Sequence, residues 1–167
     1  MADAVSSSTL PFALTRPLHV AAVGLKAKSV PTLANYYRAL LGLETIAERD
    51  GQALLGAGGV PFLELSALPP GAALDDPRSA GLFHTAFLMP TRADLGRWVR
   101  HAIEKRIPVD GMSDHVVSEA FYLTDPEGNG IEIYADRPEQ TWRWSDGKLV
   151  DMRTEPLDVD AILRSVP

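Results

Sequence analysis

Residues 113–134, SDHVVSEAFYLTDPEGNGIEIY, place two apolar runs on either side of Asp-Pro-Glu-Gly-Asn-Gly. Pro126 suits the early part of a tight turn, and Gly128, Asn129 and Gly130 tolerate the positive φ that reverses a chain between strands. The turn therefore joins EAFYL to IEIYA as paired strands. In the second strand the period of two sends Ile131 and Ile133 to one face, and Glu132 with Tyr134 to the other. Glu132 is directed away from the side a helix would cover, toward solvent or toward whatever the other face of the sheet encloses.

Working outward, the segment RADLGRWVRHAIEKR ahead of this stretch has Leu95, Trp98, Val99, Ala102 and Ile103 at i, i+3, i+4, i+7 and i+8. That spacing predicts an amphipathic helix. Leu33, Tyr36, Tyr37, Leu40 and Leu41 repeat the pattern 62 positions earlier, with Gly42 as a stop. The offset predicts two copies of one unit. Each helix follows a β-rich run, LHVAAVGLKA or GLFHTAFLM, and precedes three short strand candidates. These are LETIAER, GQALLGA and VPFLELSAL in the first copy, then IPVDGMSDH, EAFYLTD and GIEIYAD in the second. The fold class read from this order is α+β, two βαβββ modules at about 17–66 and 81–137 within one domain, 17–137. ALPPGAALDDPRSAG joins the modules as a linker, and residues 1–16 read as a flexible tail. Residues 138–167 read as an extension packing on the domain. It has Trp142 and Trp144 over an edge of the core, a turn at Asp146-Gly147, and a short helix, DVDAILRSV, with Asp158 as N-cap.

Composition narrows the function. The chain has 167 residues and a net charge of −6, so a phosphate backbone meets repulsion, and no Lys/Arg run reverses it locally. Nucleic acid is not expected as a partner. No apolar run approaches a membrane span and the N-terminus lacks a signal-peptide pattern, so a cytoplasmic protein is expected. With no cysteine, a metal could be held only by His, Asp and Glu. Glu64 in FLELS has the same setting between apolar neighbours as Glu132, and His84 lies in the predicted leading strand of the second module. A carboxylate and an imidazole on strands of one module are ligand types for iron(II), manganese(II) or zinc(II). Taken singly, each has an ordinary reading: Glu132 as an exposed charge, His84 as a core histidine, His115 as a loop residue beside Asp114, and Tyr122 as a strand aromatic. His101 reads as a surface residue of the second helix.

A longer pattern resembles the vicinal oxygen chelate superfamily, which comprises glyoxalases, bleomycin-resistance proteins and extradiol dioxygenases. His115, VVSEA, Phe121-Tyr122, LT, DPEG, NGI and Glu132 look like the ring-cleaving signature of catechol 2,3-dioxygenase-like proteins, and the chain is similar to their N-terminal half. Ser113 stands where that signature commonly has a small or β-branched residue. The resemblance implies modules closed into a cup-shaped mixed sheet with helices outside, and an extradiol dioxygenase acting on a catechol-like diol with dioxygen. It implies iron(II) first, with manganese(II) or zinc(II) as alternatives. By position His84 and Glu132 would be metal ligands, with Glu64 as an optional third. His115 would be an acid–base residue and Tyr122 a hydrogen-bonding partner, while Phe83, Phe121 and Tyr134 would line the substrate.

One ligand position departs from the family. Counting 62 back from His84 reaches Ala22, whose methyl group cannot bind metal, and His19 lies an odd number of residues away, on the opposite strand face. Two other functions therefore stay open: a glyoxalase-like isomerase or lyase with Glu64 at the metal, and a non-catalytic binding protein of the bleomycin-resistance kind. Pairing of edge strands between two copies makes a homodimer compatible with any of them.

Overall fold

The computed structural model describes residues 20–72, 80–149 and 151–167. The N-terminal tail with His19, and most of the linker, lie outside these residues. The elements run β1 (Val23–Ala27), α1 (Val30–Leu41), β2 (Glu44–Arg49), β3 (Gln52–Ala57), β4 (Val60–Ala67), β5 (Thr85–Leu88), α2 (Arg92–Lys105), β6 (Gly111–Asp114), β7 (Ser118–Thr124) and β8 (Gly130–Asp136). A 3-10 turn (Glu139–Thr141), β9 (Trp144–Ser145), β10 (Lys148–Leu149) and α3 (Val159–Arg164) follow. One sheet has the order β1-β4-β3-β2 and the other β5-β8-β7-β6. Each is a strand, a helix and three strands, with the first strand hydrogen-bonded beside the last. The α+β class and the repeated βαβββ unit are thus as the spacing predicts.

Described residues 20–72, 80–85 and 124–131 form one compact unit, and residues 86–123 with 132–167 form another. In the first, β1 runs parallel to β4, and β3 pairs antiparallel with both β2 and β4. Helix α1 packs on β3 and β4, burying Val30, Leu33, Tyr37 and Leu40. Ser29 caps it by accepting from the Thr32 amide, and Gly42 ends it at φ 69°. The turn between β7 and β8 belongs to this unit. Asp125, buried, accepts from the amides of Glu127 and Asn129, from Asn129 Nδ2 and from the Tyr37 hydroxyl. Glu127 in turn accepts from the amides of Lys28 (2.7 Å) and Ser29 (2.9 Å), just ahead of α1. Of the three turn residues expected at positive φ, only Gly128 adopts it, at 95°. Gly130 is needed for a different reason, since a Cβ there would lie 2.4 Å from the Phe83 carbonyl oxygen.

In the second unit α2 buries Leu95, Trp98, Val99 and Ala102 and packs on α3. The contact is close at Gly96, where a Cβ would lie 2.6 Å from Val166 Cγ2 and 2.7 Å from the Ile162 carbonyl oxygen. Asp158 caps α3 as expected, accepting from the Ala161 amide at 2.8 Å. The Asp146-Gly147 turn joins β9 and β10 with both residues at positive φ, the geometry a two-residue hairpin favours. Three sequence readings need correction. Ile103 ends exposed, because the apolar stripe of α2 has rotated off the core by its last turn. Strand β6 begins only at Gly111, since Pro108 has no amide to donate to a ladder. His84 precedes β5 instead of lying within it, because the chain there is held by close approach of Phe83 to Gly130 before ladder pairing starts at Thr85.

Candidate active site

Strand β8 alternates as read, with Ile131, Ile133 and Ala135 buried and Glu132, Tyr134 and Asp136 half-buried on the other face. Strand β7 is buried from Ser118 to Phe121 and again at Leu123, and Tyr122 between them is half-buried. The Tyr122 hydroxyl donates to Glu132 Oε1 at 3.0 Å, and His115 Nε2 lies 2.7 Å from the same hydroxyl oxygen. His115 Nδ1 lies 3.1 Å from the carbonyl oxygen of Arg153. His115, Tyr122 and Glu132 are thereby joined in one hydrogen-bonded row.

The row has a definite proton inventory. The Arg153 carbonyl can only accept, so Nδ1 carries a hydrogen, and an ionised Glu132 can only accept as well. Neutral imidazole, phenol and carboxylate together hold two hydrogens, whereas the three bonds use three. The row therefore has a place for one further proton, which is what a group exchanging protons with a substrate requires. Tyr122 keeps its own: burial, then the charge and hydrogen bond of Glu132, push its pKa up to about 12. Tyr134 is likewise pushed up to about 12 by burial, then by Asp136 and Glu132. Burial alone pushes the Asp136 carboxyl up to about 6.

The turn bearing His115 is braced from behind. Glu119 is 2% exposed and receives Arg92 through both carboxylate oxygens, at 2.5 and 2.9 Å. Arg137 Nη2 bridges Glu119 (3.2 Å) and Asp114 (2.5 Å). Backbone bonds between Asp114 and Glu155, 3.0 and 2.8 Å, tie the C-terminal segment alongside. The sequence reading gave no role to Glu119, Arg92 or Arg137, and took Asp114 only as a neighbour of His115. The available signal was Glu119, which shares the parity of Phe121 and Leu123 on the helix-packed face of β7, and a carboxylate there must be paired.

The other expected site residues are placed as follows. Phe121, buried, packs on Trp98 at 5.4 Å, on the opposite face of β7 from Tyr122, so here it is a core residue. Phe83 is 86% exposed, with its ring 4.9 Å from that of His84. His84 is half-buried beside Gly130, and Glu64 is exposed on β4, paired in register with Gly24.

Residues 17–133 match the sequence pattern of the Glyoxalase/Bleomycin resistance protein/Dioxygenase superfamily. The chain belongs to that superfamily. Within it, the chain is 40% identical over 147 residues to the catechol-2,3-dioxygenase of Bacillus subtilis (strain 168), covering 87% of this chain and 51% of the relative. It is 29% identical to biphenyl-2,3-diol 1,2-dioxygenase 3 of Rhodococcus globerulus, over 74% of this chain and 68% of that one. The chain thus spans about half the length of the first relative. The fold is shared with lactoylglutathione lyase from Agrobacterium tumefaciens, at 22% identity and a TM-score of 0.56 over 71% of this chain and 94% of that one. Superfamily membership implies a divalent metal. His84 and Glu132 have the right donor chemistry, but no group of three or more His, Asp or Glu gathers to hold an ion among the described residues.

Proposed function

We propose that the chain is a metal-dependent dioxygenase of the extradiol ring-cleaving type, acting on a catechol-like aromatic diol. The observation that supports this reading above the others is the His115–Tyr122–Glu132 row, with its place for one further proton, which joins the β6–β7 turn to the half-buried residues of β7 and β8. In this reading His84 and Glu132 would contribute to holding a divalent ion, iron(II) first, with Glu64 or His19 as the residues to test for completing the set. Such an ion would supply a place for the diol and for dioxygen to meet.

What the chain's own residues contribute follows from their hydrogen bonds. His115 Nε2 is the basic atom facing the half-buried face, and it takes the proton of a diol hydroxyl that enters beside Tyr122. Nδ1 stays bonded to the Arg153 carbonyl while this happens, so the ring does not turn as it gains the proton. Tyr122 holds its proton well above neutral pH and donates a hydrogen bond to Glu132, which keeps the hydroxyl oxygen turned toward His115 Nε2. Tyr134 supplies an aromatic flank two residues along β8.

The test is metal content by elemental analysis after anaerobic purification, with catechol-stimulated oxygen uptake, for wild type, His84→Ala, Glu132→Ala and His115→Ala. The expected result is near-stoichiometric divalent metal in wild type, lost in the first two variants and kept in the third. Oxygen uptake should fall at least about 100-fold in His115→Ala, as for loss of an acid–base group. Metal-free wild type with no uptake on any catechol would exclude the dioxygenase. Metal that is also lost in a fifth protein, Glu64→Ala, without oxygen uptake in wild type, would favour an isomerase or lyase.

A further inference from the structure

The residue after His115 is under backbone strain. Val116 has φ 70°, in the left-handed region, and valine is among the side chains least suited to it. Its neighbours hold it there. Asp114 Oδ1 accepts from the Val116 amide at 2.8 Å, and the His115 amide donates to the Ser118 carbonyl at 2.8 Å. The other oxygen of Asp114 is occupied by Arg137, and its backbone is bonded both ways to Glu155. Two residues before Glu155, the Arg153 carbonyl receives Nδ1 of His115.

We propose that Asp114 and the strained Val116 are positioning residues that aim His115 Nε2 at the substrate side of Tyr122. A glycine at 116 would adopt this φ without strain, but it would also open the backbone to many other conformations. Valine, locked in place by Asp114, leaves one orientation of the preceding imidazole. The strain is the cost of a fixed His115, in line with the clustering of unfavourable φ values at working sites. This inference rests on His115 being the acid–base residue, and its test is built to separate the two.

The experiment uses ¹⁵N-histidine-labelled full-length protein, as wild type, Val116→Gly, Asp114→Ala and Asp114→Asn, with NMR of the imidazole Nδ1–H, thermal unfolding, and catechol turnover. Wild type should show a slowly exchanging Nδ1–H for His115. That signal should be lost or broadened in Val116→Gly and Asp114→Ala, and kept in Asp114→Asn, whose amide oxygen still accepts from the Val116 amide. Val116→Gly should have a Tm at or above that of wild type while kcat falls at least about tenfold and KM stays within about threefold, the pattern of a misplaced group rather than a weakened fold. An unchanged Nδ1–H signal with kcat within about twofold in Val116→Gly would overturn the proposal, as would a Tm loss that tracks the activity loss. If Asp114→Ala does not fold, Val116→Gly decides alone. If no catechol is turned over even by wild type, the dioxygenase reading fails, and the NMR comparison still decides whether Asp114 and Val116 position the ring.

Discussion

Asp136 ends the half-buried row of β8, and burial raises its carboxyl to about 6. A folded-state pKa above the unfolded value means the folded protein binds the proton more tightly, so stability from this group is full below about pH 4 and is lost as pH rises through about 6. Two pK units set a ceiling of about 3 kcal/mol, and solvent screening of a half-buried group reduces the expected difference to about 1 kcal/mol. Asp136→Asn should therefore match wild type at pH 4 and exceed it by about 1 kcal/mol at pH 7.5 in denaturant unfolding; equal stability at both pH values would show that Asp136 is solvated. The parity of β8 made this face legible from sequence, because the apolar and polar residues alternate strictly. Phe121 and Tyr122 were harder, since two aromatic neighbours must face opposite ways and only the packing of Trp98 decides which is core. Glu119 was hidden because its arginines lie 27 residues before and 18 residues after it.

Helices α1 and α2 could be read directly, since a 3.6-residue period needs no tertiary information, although only α1 has a glycine stop and α2 ends on Arg106 at φ 53°. Their surroundings could not. Gly96 in mid-helix is costly by propensity, and its reason is the α3 backbone lying against it. Alanine there would gain about 1 kcal/mol in helix propensity but place a methyl group 2.7 Å from a carbonyl oxygen, and overpacking of that kind costs about 1–3 kcal/mol. Gly96→Ala is expected to destabilise by about 1 kcal/mol net, read from the unfolding midpoint, and a stabilised variant would mean that α3 yields easily. The turn Asp125–Gly130 was read correctly as a reversal, but its carboxylates turned out to serve α1. Nothing local in Asp-Pro-Glu-Gly announces that Glu127 bonds amides 98 and 99 residues earlier.

At the scale of the molecule, the two sequence repeats and the two compact units do not coincide, because residues 124–131 of the second repeat complete the first unit. A fragment of residues 20–85 lacks Asp125, which accepts from the hydroxyl of fully buried Tyr37, and lacks the Glu127 carboxylate that accepts from two amides ahead of α1. Losing these hydrogen bonds to charged groups costs about 2–4 kcal/mol, a large share of a small domain's stability. The fragment is expected to melt without a cooperative transition by circular dichroism. Joining residues 124–131 to it through a Gly/Ser linker should restore one. Cooperative melting of the bare fragment would show that the turn is dispensable.

The same exchange sets an order of events on the ribosome. Residues 20–85 leave synthesis first, but the turn that finishes their unit arrives 46 residues later, counting from 85 to 131. At about 5–20 residues per second this is a wait of roughly 2–9 s. During it α1 and its sheet lack the carboxylates that bond the Tyr37 hydroxyl and the amides of Lys28 and Ser29, so the nascent chain is most exposed to chaperones and to its neighbours on the same message just before Asp125 and Glu127 emerge.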